Sequence, residues 1–254
     1  MTDRGGGKTE RPFWSRHRVF MTGVSLGVGA ILSGCAPTVA LRFHPDQLSA
    51  GPVNYASRLH YRFGFVPFRD ERYVPMGSGD YLLIGWGTGT GTLETRTNVS
   101  RFVTGSFVRS FRHLGILART VSIKGLESPG DLEKHLGMVA TNYPDVRYLV
   151  MGEIQDFQFQ ISHPRLSVGA EFSLLATDVA WIKCQERITL QVFSASSGRS
   201  VGTFTSEVYT VKKTRGKSQS EFIREAERTL DHNLAGVVMK AVANIDAILQ
   251  NAPP

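Results

Sequence analysis

Cysteine is nearly missing: 254 residues contain only Cys35 and Cys184. Two distant thiols build no disulfide framework, and no Cys-x-x-Cys pair exists to seat a zinc ion. The seven histidines stand at 17, 44, 60, 113, 135, 163 and 232. None are spaced i, i+4 on one helix face, so no metal site is expected. No Gly-x-Ser-x-Gly elbow occurs, and a hydrolase triad would have to be assembled from distant residues. The run Gly85-Trp86-Gly87-Thr88-Gly89-Thr90-Gly91-Thr92 has glycine at every second position. It fits neither Gly-x-Gly-x-x-Gly nor a P-loop ending in Gly-Lys-Ser/Thr, so it reads as a flexible loop rather than a phosphate cradle. No cofactor is expected. The apolar run Val19 to Leu32 has 14 residues and three glycines, Gly23, Gly27 and Gly29. A membrane-spanning helix needs about 20 apolar residues.

That run follows a leader holding Arg4, Lys8, Arg11, Arg16 and Arg18 against Asp3 and Glu10. A basic head, a short apolar middle and a small-residue exit form the layout of a secretory signal peptide. Its last residues, Leu32-Ser33-Gly34-Cys35, resemble the lipobox of bacterial lipoproteins. The resemblance implies a diacylglycerol thioether on Cys35, cleavage before it, and acylation of the new amino terminus. One acyl chain binds a bilayer marginally, whereas two or three hold a protein there almost permanently. Ala36, rather than aspartate, follows the cysteine. By the same resemblance this favours the inner leaflet of the outer membrane, facing the periplasm.

Without residues 1–34, 220 residues remain, enough for one large domain or two small ones. Their charge falls from +7 to +4, because five basic and two acidic residues leave with the leader. A nucleic-acid partner therefore has little support. Once Cys35 is acylated, Cys184 has no partner, and its apolar-alternating surroundings mark it as a buried, inert thiol.

The expected organisation is a signal peptide at 1–34, a lipidated tether at 35–57 and an α/β body at 58–254. The tether carries Pro37, Pro45 and Pro52, with a short edge strand where Val39, Leu41 and Phe43 alternate. A first strand covers Leu59 to Val66 and ends at Pro67. Helical spacing of Val99, Phe102, Val103, Phe107, Phe111 and Leu114 predicts a helix capped by Asn98 or Ser100 and stopped at Gly115. Ile116 to Ile123 reads as a strand, and Ser128-Pro129 opens a second helix that stops before Pro144. Val146 to Ile161 reads as a long strand buried first on both faces and then on one, with a bulge near Gly152. Two further strands, Val179 to Phe193 and Val201 to Val211, flank the turn Ser196-Ser197-Gly198-Arg199. Residues 165–178 read ambiguously. A long amphipathic helix from a Ser218/Glu221 capping box closes the chain. The fold class is α/β of the α+β type: a mixed sheet with two or three helices packed on one face.

The body resembles the YajG-like lipoproteins and the ABC-type transport auxiliary lipoproteins of bacterial envelopes. The likeness rests on Phe68-Arg69-Asp70-Glu71-Arg72, on a helix ending at Leu114-Gly115, and on the strand Arg147-Tyr148-Leu149-Val150-Met151-Gly152-Glu153-Ile154. The Ser197-Gly198 hairpin and the terminal helix complete it. The curli-secretion lipoprotein family has a similar strand-helix plan. The resemblance implies a non-catalytic body that binds an envelope protein partner or supports a lipid-handling or assembly complex.

Two side-chain groups stand out as sites. Arg69, Asp70 and Arg72 would meet a partner, or else tie the turn after Pro67 to itself, the favoured reading. Lys212, Lys213, Arg215 and Lys217 would meet anionic headgroups, each contributing about 1 kcal/mol near such a surface, or form a solvated loop. The leading function is a lipid-anchored, non-enzymatic accessory or scaffold of an envelope complex. The alternatives are a lipid- or glycan-binding auxiliary subunit of a transport system, and an envelope hydrolase without a recognisable motif. Neither the partner nor the oligomeric state follows from the sequence.

Overall fold

The computed structural model describes residues 41–48, 54–73, 81–86, 89–95, 98–162, 179–216 and 218–251. The leader, Cys35 and the ambiguous stretch 165–178 lie outside the described residues. The strands are β1 (Phe63–Phe65), β2 (Arg69–Asp70), β3 (Tyr81–Trp86), β4 (Gly89–Glu94), β5 (Ala118–Thr120), β6 (Tyr148–Ser162), β7 (Val179–Ser194) and β8 (Ser200–Arg215). The helices are α1 (Tyr55–Arg58), α2 (Val99–His113), α3 (Leu132–Asn142) and α4 (Gln219–Asn251).

β6 organises an open mixed sheet. Along one edge it takes β1, β2 and β3 in succession, all parallel. Along the other it pairs antiparallel with β7 from end to end, and β8 pairs antiparallel with β7 outside that. β5 extends the sheet beyond β1, and β4 beyond β3. The class is therefore α+β, as the order of elements predicts.

Two helices, α2 and α4, cover one face of the sheet, and α3 covers one end of the other. Phe63, Phe65, Phe68, Phe107 and Phe111 form an aromatic nucleus between β1 and α2. Phe65 meets Phe111 at 4.9 Å between ring centres and Phe68 meets Phe107 at 5.1 Å, both edge to face, the arrangement that ring quadrupoles favour. On the opposite face Val66, Leu132, Val139, Leu149, Met151 and Phe193 pack under α3. Gly64 lies between these layers: a Cβ there would sit 2.6 Å from Val121 and 2.9 Å from Val146. No larger residue fits without moving that wall.

Helix α2 begins one residue after its cap, Asn98, whose side chain accepts from Arg101 N–H at 3.2 Å. It ends before Gly115, whose φ of 77° is the left-handed conformation that glycine adopts without strain. Ser128 and Asp131 form the capping box before α3.

Four expectations change. The first strand is shorter than Leu59 to Val66 and spans only Phe63–Phe65, because Leu59 closes the helical turn of α1 by donating its N–H to the Tyr55 carbonyl. The Gly/Thr run is no loop: β3 and β4 make an antiparallel hairpin through it, and β3 joins β6. The irregularity in β6 falls between Ile154 and Asp156 rather than at Gly152. Gly152 instead lets the Phe68 ring approach, since a Cβ would stand 2.7 Å from that ring. Finally, residues 41–48 do not hang free, and Leu41 and Phe43 form no edge strand. They and Leu48 pack on the core, and a 3-10 turn at Pro45–Gln47 lies in this stretch.

Candidate functional site

The lipobox, Leu32, Ser33, Gly34 and Cys35, lies outside the described residues, as does Lys217. The other predicted groups are placed by their strands.

In Phe68-Arg69-Asp70-Glu71-Arg72 each residue has a distinct task. Pro67 interrupts the ladder between β1 and β2, leaving Phe68 without strand partners. Helix α2 supplies them: Phe68 N–H donates to Thr104 Oγ1 at 2.9 Å, and Ser100 Oγ donates to the Phe68 carbonyl. The alternation of β2 turns Asp70 and Arg72 inward, where their side chains are 8% and 4% exposed. Arg72 donates Nε and Nη2 to the two Asp70 oxygens, both at 2.7 Å, a bidentate pairing. Its Nη1 donates to the Phe157 carbonyl at 3.3 Å, just past the irregularity in β6. Arg69 points outward and is held by Glu71 at 2.5 Å and Glu153 at 2.9 Å. Of the three predicted residues, Asp70 and Arg72 serve each other and the backbone, while Arg69 points away from them to Glu71 and Glu153.

The basic segment is not a loop. Lys212, Lys213 and Arg215 lie on the last turns of β8, where the strand period divides them. Lys212 Nζ donates to Glu225 Oε1 of α4 at 2.5 Å. Burial works against the charge of Glu225, but Lys212, and then Arg228, hold its carboxyl below the ordinary range. Lys213 is on the other face, with Nζ 5.9 Å from the centre of the Trp181 ring. Arg215 shares that face, opposite Val179.

Two arrangements escape sequence reasoning. The first is a buried polar cluster under α4. Asp231 accepts from His44 N–H at 3.1 Å and from Gln47 Nε2 at 2.9 Å, and pairs with His44 Nδ1 at 2.7 Å. Arg58 reaches Asp246, about four turns further along α4, at 3.0 Å. These contacts dock the amino-terminal stretch onto α4. Beneath them lies Glu186, fully buried on β7, with neither carboxylate oxygen hydrogen-bonded among the described residues. Burial, reinforced by the nearby Asp231, raises its pKa well above the carboxylate range. Glu186 sits in phase with Ile182, Cys184, Ile188 and Leu190, so the period-two pattern of β7 already exposes it as an acid on an apolar face. Cys184 beside it is wholly buried, and burial pushes its thiol far up, which makes it inert.

The second arrangement is the part of the sheet face that no helix covers among the described residues. Trp181, Lys183, Gln185 and Arg187 of β7 share this face with Tyr209, Val211 and Lys213 of β8. Towards β2 it opens into a cleft of about 720 Å³ lined by Arg72, Tyr73, Asp156, Gln158 and Arg187. Arg187 pairs there with Asp156 at 2.8 Å. Among the described residues no group of three or more His, Cys, Asp or Glu could hold a metal ion, and no helix is long and apolar enough to cross a membrane.

No family model matches the chain, and no curated protein matches it. Solved structures do. Protein XCC0632 from Xanthomonas campestris, of the DUF330 family, aligns over 84% of this chain and 97% of its own, with a TM-score of 0.51 and 9% identity. The two share a fold. Lipoprotein GNA1162 from Neisseria meningitidis aligns over 72% of this chain and 99% of its own, with a TM-score of 0.37 and 9% identity. Uncharacterized lipoprotein B from Nitrosomonas europaea aligns over 75% of this chain and 86% of its own, with a TM-score of 0.36 and 10% identity.

Proposed function

We propose that this protein is a lipid-anchored, non-enzymatic accessory of a bacterial envelope complex, acylated at Cys35 and facing the periplasm from the outer membrane. The observation that carries this reading is the sequence Leu32-Ser33-Gly34-Cys35 behind a basic leader and a short apolar run. The fold shared with a DUF330 protein is compatible with it.

The docked amino-terminal stretch adds a mechanical consequence. Only six residue steps separate Cys35 from Leu41, the first docked residue among those described, and a fully extended chain of that length reaches about 20 Å. The body therefore stays close to the bilayer instead of standing far off on a slack tether. His44 and Gln47 on Asp231, with Arg58 on Asp246, fasten that short leash to α4.

Intact-mass analysis of protein from a diderm bacterial host tests the anchor. The expected mass begins at residue 35 and carries two or three acyl chains. A chain that keeps residues 1–34, or an unmodified Cys35, overturns the reading. Cys35→Ala should leave an unlabelled precursor.

A further inference from the structure

We propose that the bare half of the sheet is a binding platform for an extended, anionic polysaccharide chain. Residues 181, 183 and 185 of β7 and 209, 211, 213 and 215 of β8 point to the side that α3 does not reach. Two rings lie on it, Trp181 and Tyr209, 40% and 56% exposed. Trp181 sits opposite Lys213 and Tyr209 opposite Gln185. The rings are thus four residues apart along the strands and one strand apart across them, about 14 Å in all. That separation is wider than one sugar ring and suits a chain lying along the strands.

The polar groups match such a ligand. Lys183, Lys213 and Arg215 place three positive charges on this face. The nearest carboxylate on this face among the described residues is Glu207, next to Tyr209 on the strand, where it accepts from Gln185 Nε2 at 3.3 Å, so the patch keeps a net positive charge. Gln158 and Gln160 of β6 lie across from Gln185 and Lys183. A primary amide offers two donors and an acceptor, which is what vicinal hydroxyls require, and ammonium and guanidinium groups take carboxylates in charge-assisted bonds. Each exposed ring presents an apolar face to the C–H side of a pyranose, at little entropic cost because only two χ angles are fixed.

Aromatic and basic side chains also suit a bilayer surface, so the position of the leash decides between the two. Leu41, Phe43 and Leu48 dock on the helix side of the sheet, and the platform is on the other. This choice rests on the lipid-anchored reading: the leash leaves the body from its helix layer, which favours that layer towards the membrane over the platform.

The test uses the full chain in phosphatidylcholine nanodiscs. Polygalacturonate should bind in a salt-dependent manner, and neutral dextran should not. Trp181→Ala and Tyr209→Ala should each weaken polygalacturonate about tenfold, and Lys183→Gln with Lys213→Gln by a similar factor. All four positions are on an open face, so thermal melting should stay at the parent value, and Lys213→Glu provides a second charge variant should one of them melt early. Absence of polygalacturonate binding, or equal binding by every variant, overturns the proposal. Capture by phosphatidylglycerol vesicles that the same variants abolish also overturns it and assigns the face to lipid headgroups. The Cys35→Ala chain separates the two readings: its polygalacturonate binding should persist although its acylation is lost.

Discussion

On β7 the residues Ile182, Cys184, Ile188, Leu190 and Val192 face α4 and are shut off from water. Alternating with them, Trp181, Lys183, Gln185 and Arg187 face the side that α3 leaves bare. The backbone and its hydrogen bonds are the same for both sets, and only the covering differs. Under α4 each polar atom needs an internal partner. Asn233 has one in Thr210 at 2.7 Å, whereas Glu186 has none among the described residues, and burial raises its pKa. On the bare side Asp156, only 18% exposed, has the half-exposed Arg187 as a countercharge 2.8 Å away. A charge is tolerated or penalised here according to which face of one strand it occupies.

Substitutions can break this contrast in a graded way. Phe107→Ala, in the aromatic nucleus, should cost about 3–5 kcal/mol through lost burial and a cavity, read as a lowered urea midpoint at unchanged slope. Arg72→Ala should cost about 3 kcal/mol, because it leaves Asp70 buried without its cation and frees the Phe157 carbonyl. Asp70→Ala in the same chain should return part of that loss, and a double-mutant cycle measures the coupling.

Glu186→Gln should stabilise the protein by roughly 1–3 kcal/mol at pH 7. The folded pKa of Glu186 lies above its unfolded value, so folding favours the protonated form. That contribution is complete below the unfolded value of about 4.3 and fades as pH rises through the folded pKa. The parent should thus lose stability towards high pH more steeply than the glutamine variant, and melting curves from pH 4 to 9 (about 1 unit apart) would show parallel profiles if Glu186 were charged or paired.

His44→Ala should cost about 1 kcal/mol by removing one of the hydrogen bonds on Asp231. Its sharper signature is local: amide exchange should quicken over residues 41–48 while β6 stays protected. Smallest of all, Trp181→Ala should move stability by no more than about 0.5 kcal/mol. A large loss there would mean that the bare face carries part of the core.

Much of the fold is legible in the sequence because its signals are local. Asn98 and Gly115 bracket α2, Ser128 and Asp131 cap α3, and Gly198 sits in the turn between β7 and β8 with φ of 68°. The tie between Asp70 and Arg72 is also legible, since the two residues stand two positions apart in the segment after Pro67. The Gly/Thr run misleads because glycine weakens any strand signal, and only the edge offered by β6 makes a strand of Tyr81–Trp86. The basic segment misleads for a different reason: four charges close in sequence look like one patch, but the alternation of β8 sends Lys212 to α4 and Lys213 to the opposite side.

The sequence alone showed the basic head and the lipobox-like ending at Cys35, the limits of α2 and α3 and the long strands β6, β7 and β8, because caps, breakers and apolar periods act over a few residues. Only the tertiary structure decided that β6 takes three short strands along one edge, that Asp231 clamps His44 and Gln47 from 187 and 184 positions away, and which half of the sheet stays bare. Those outcomes depend on which surfaces meet, and contacts between residues far apart in the chain leave no mark on local periodicity.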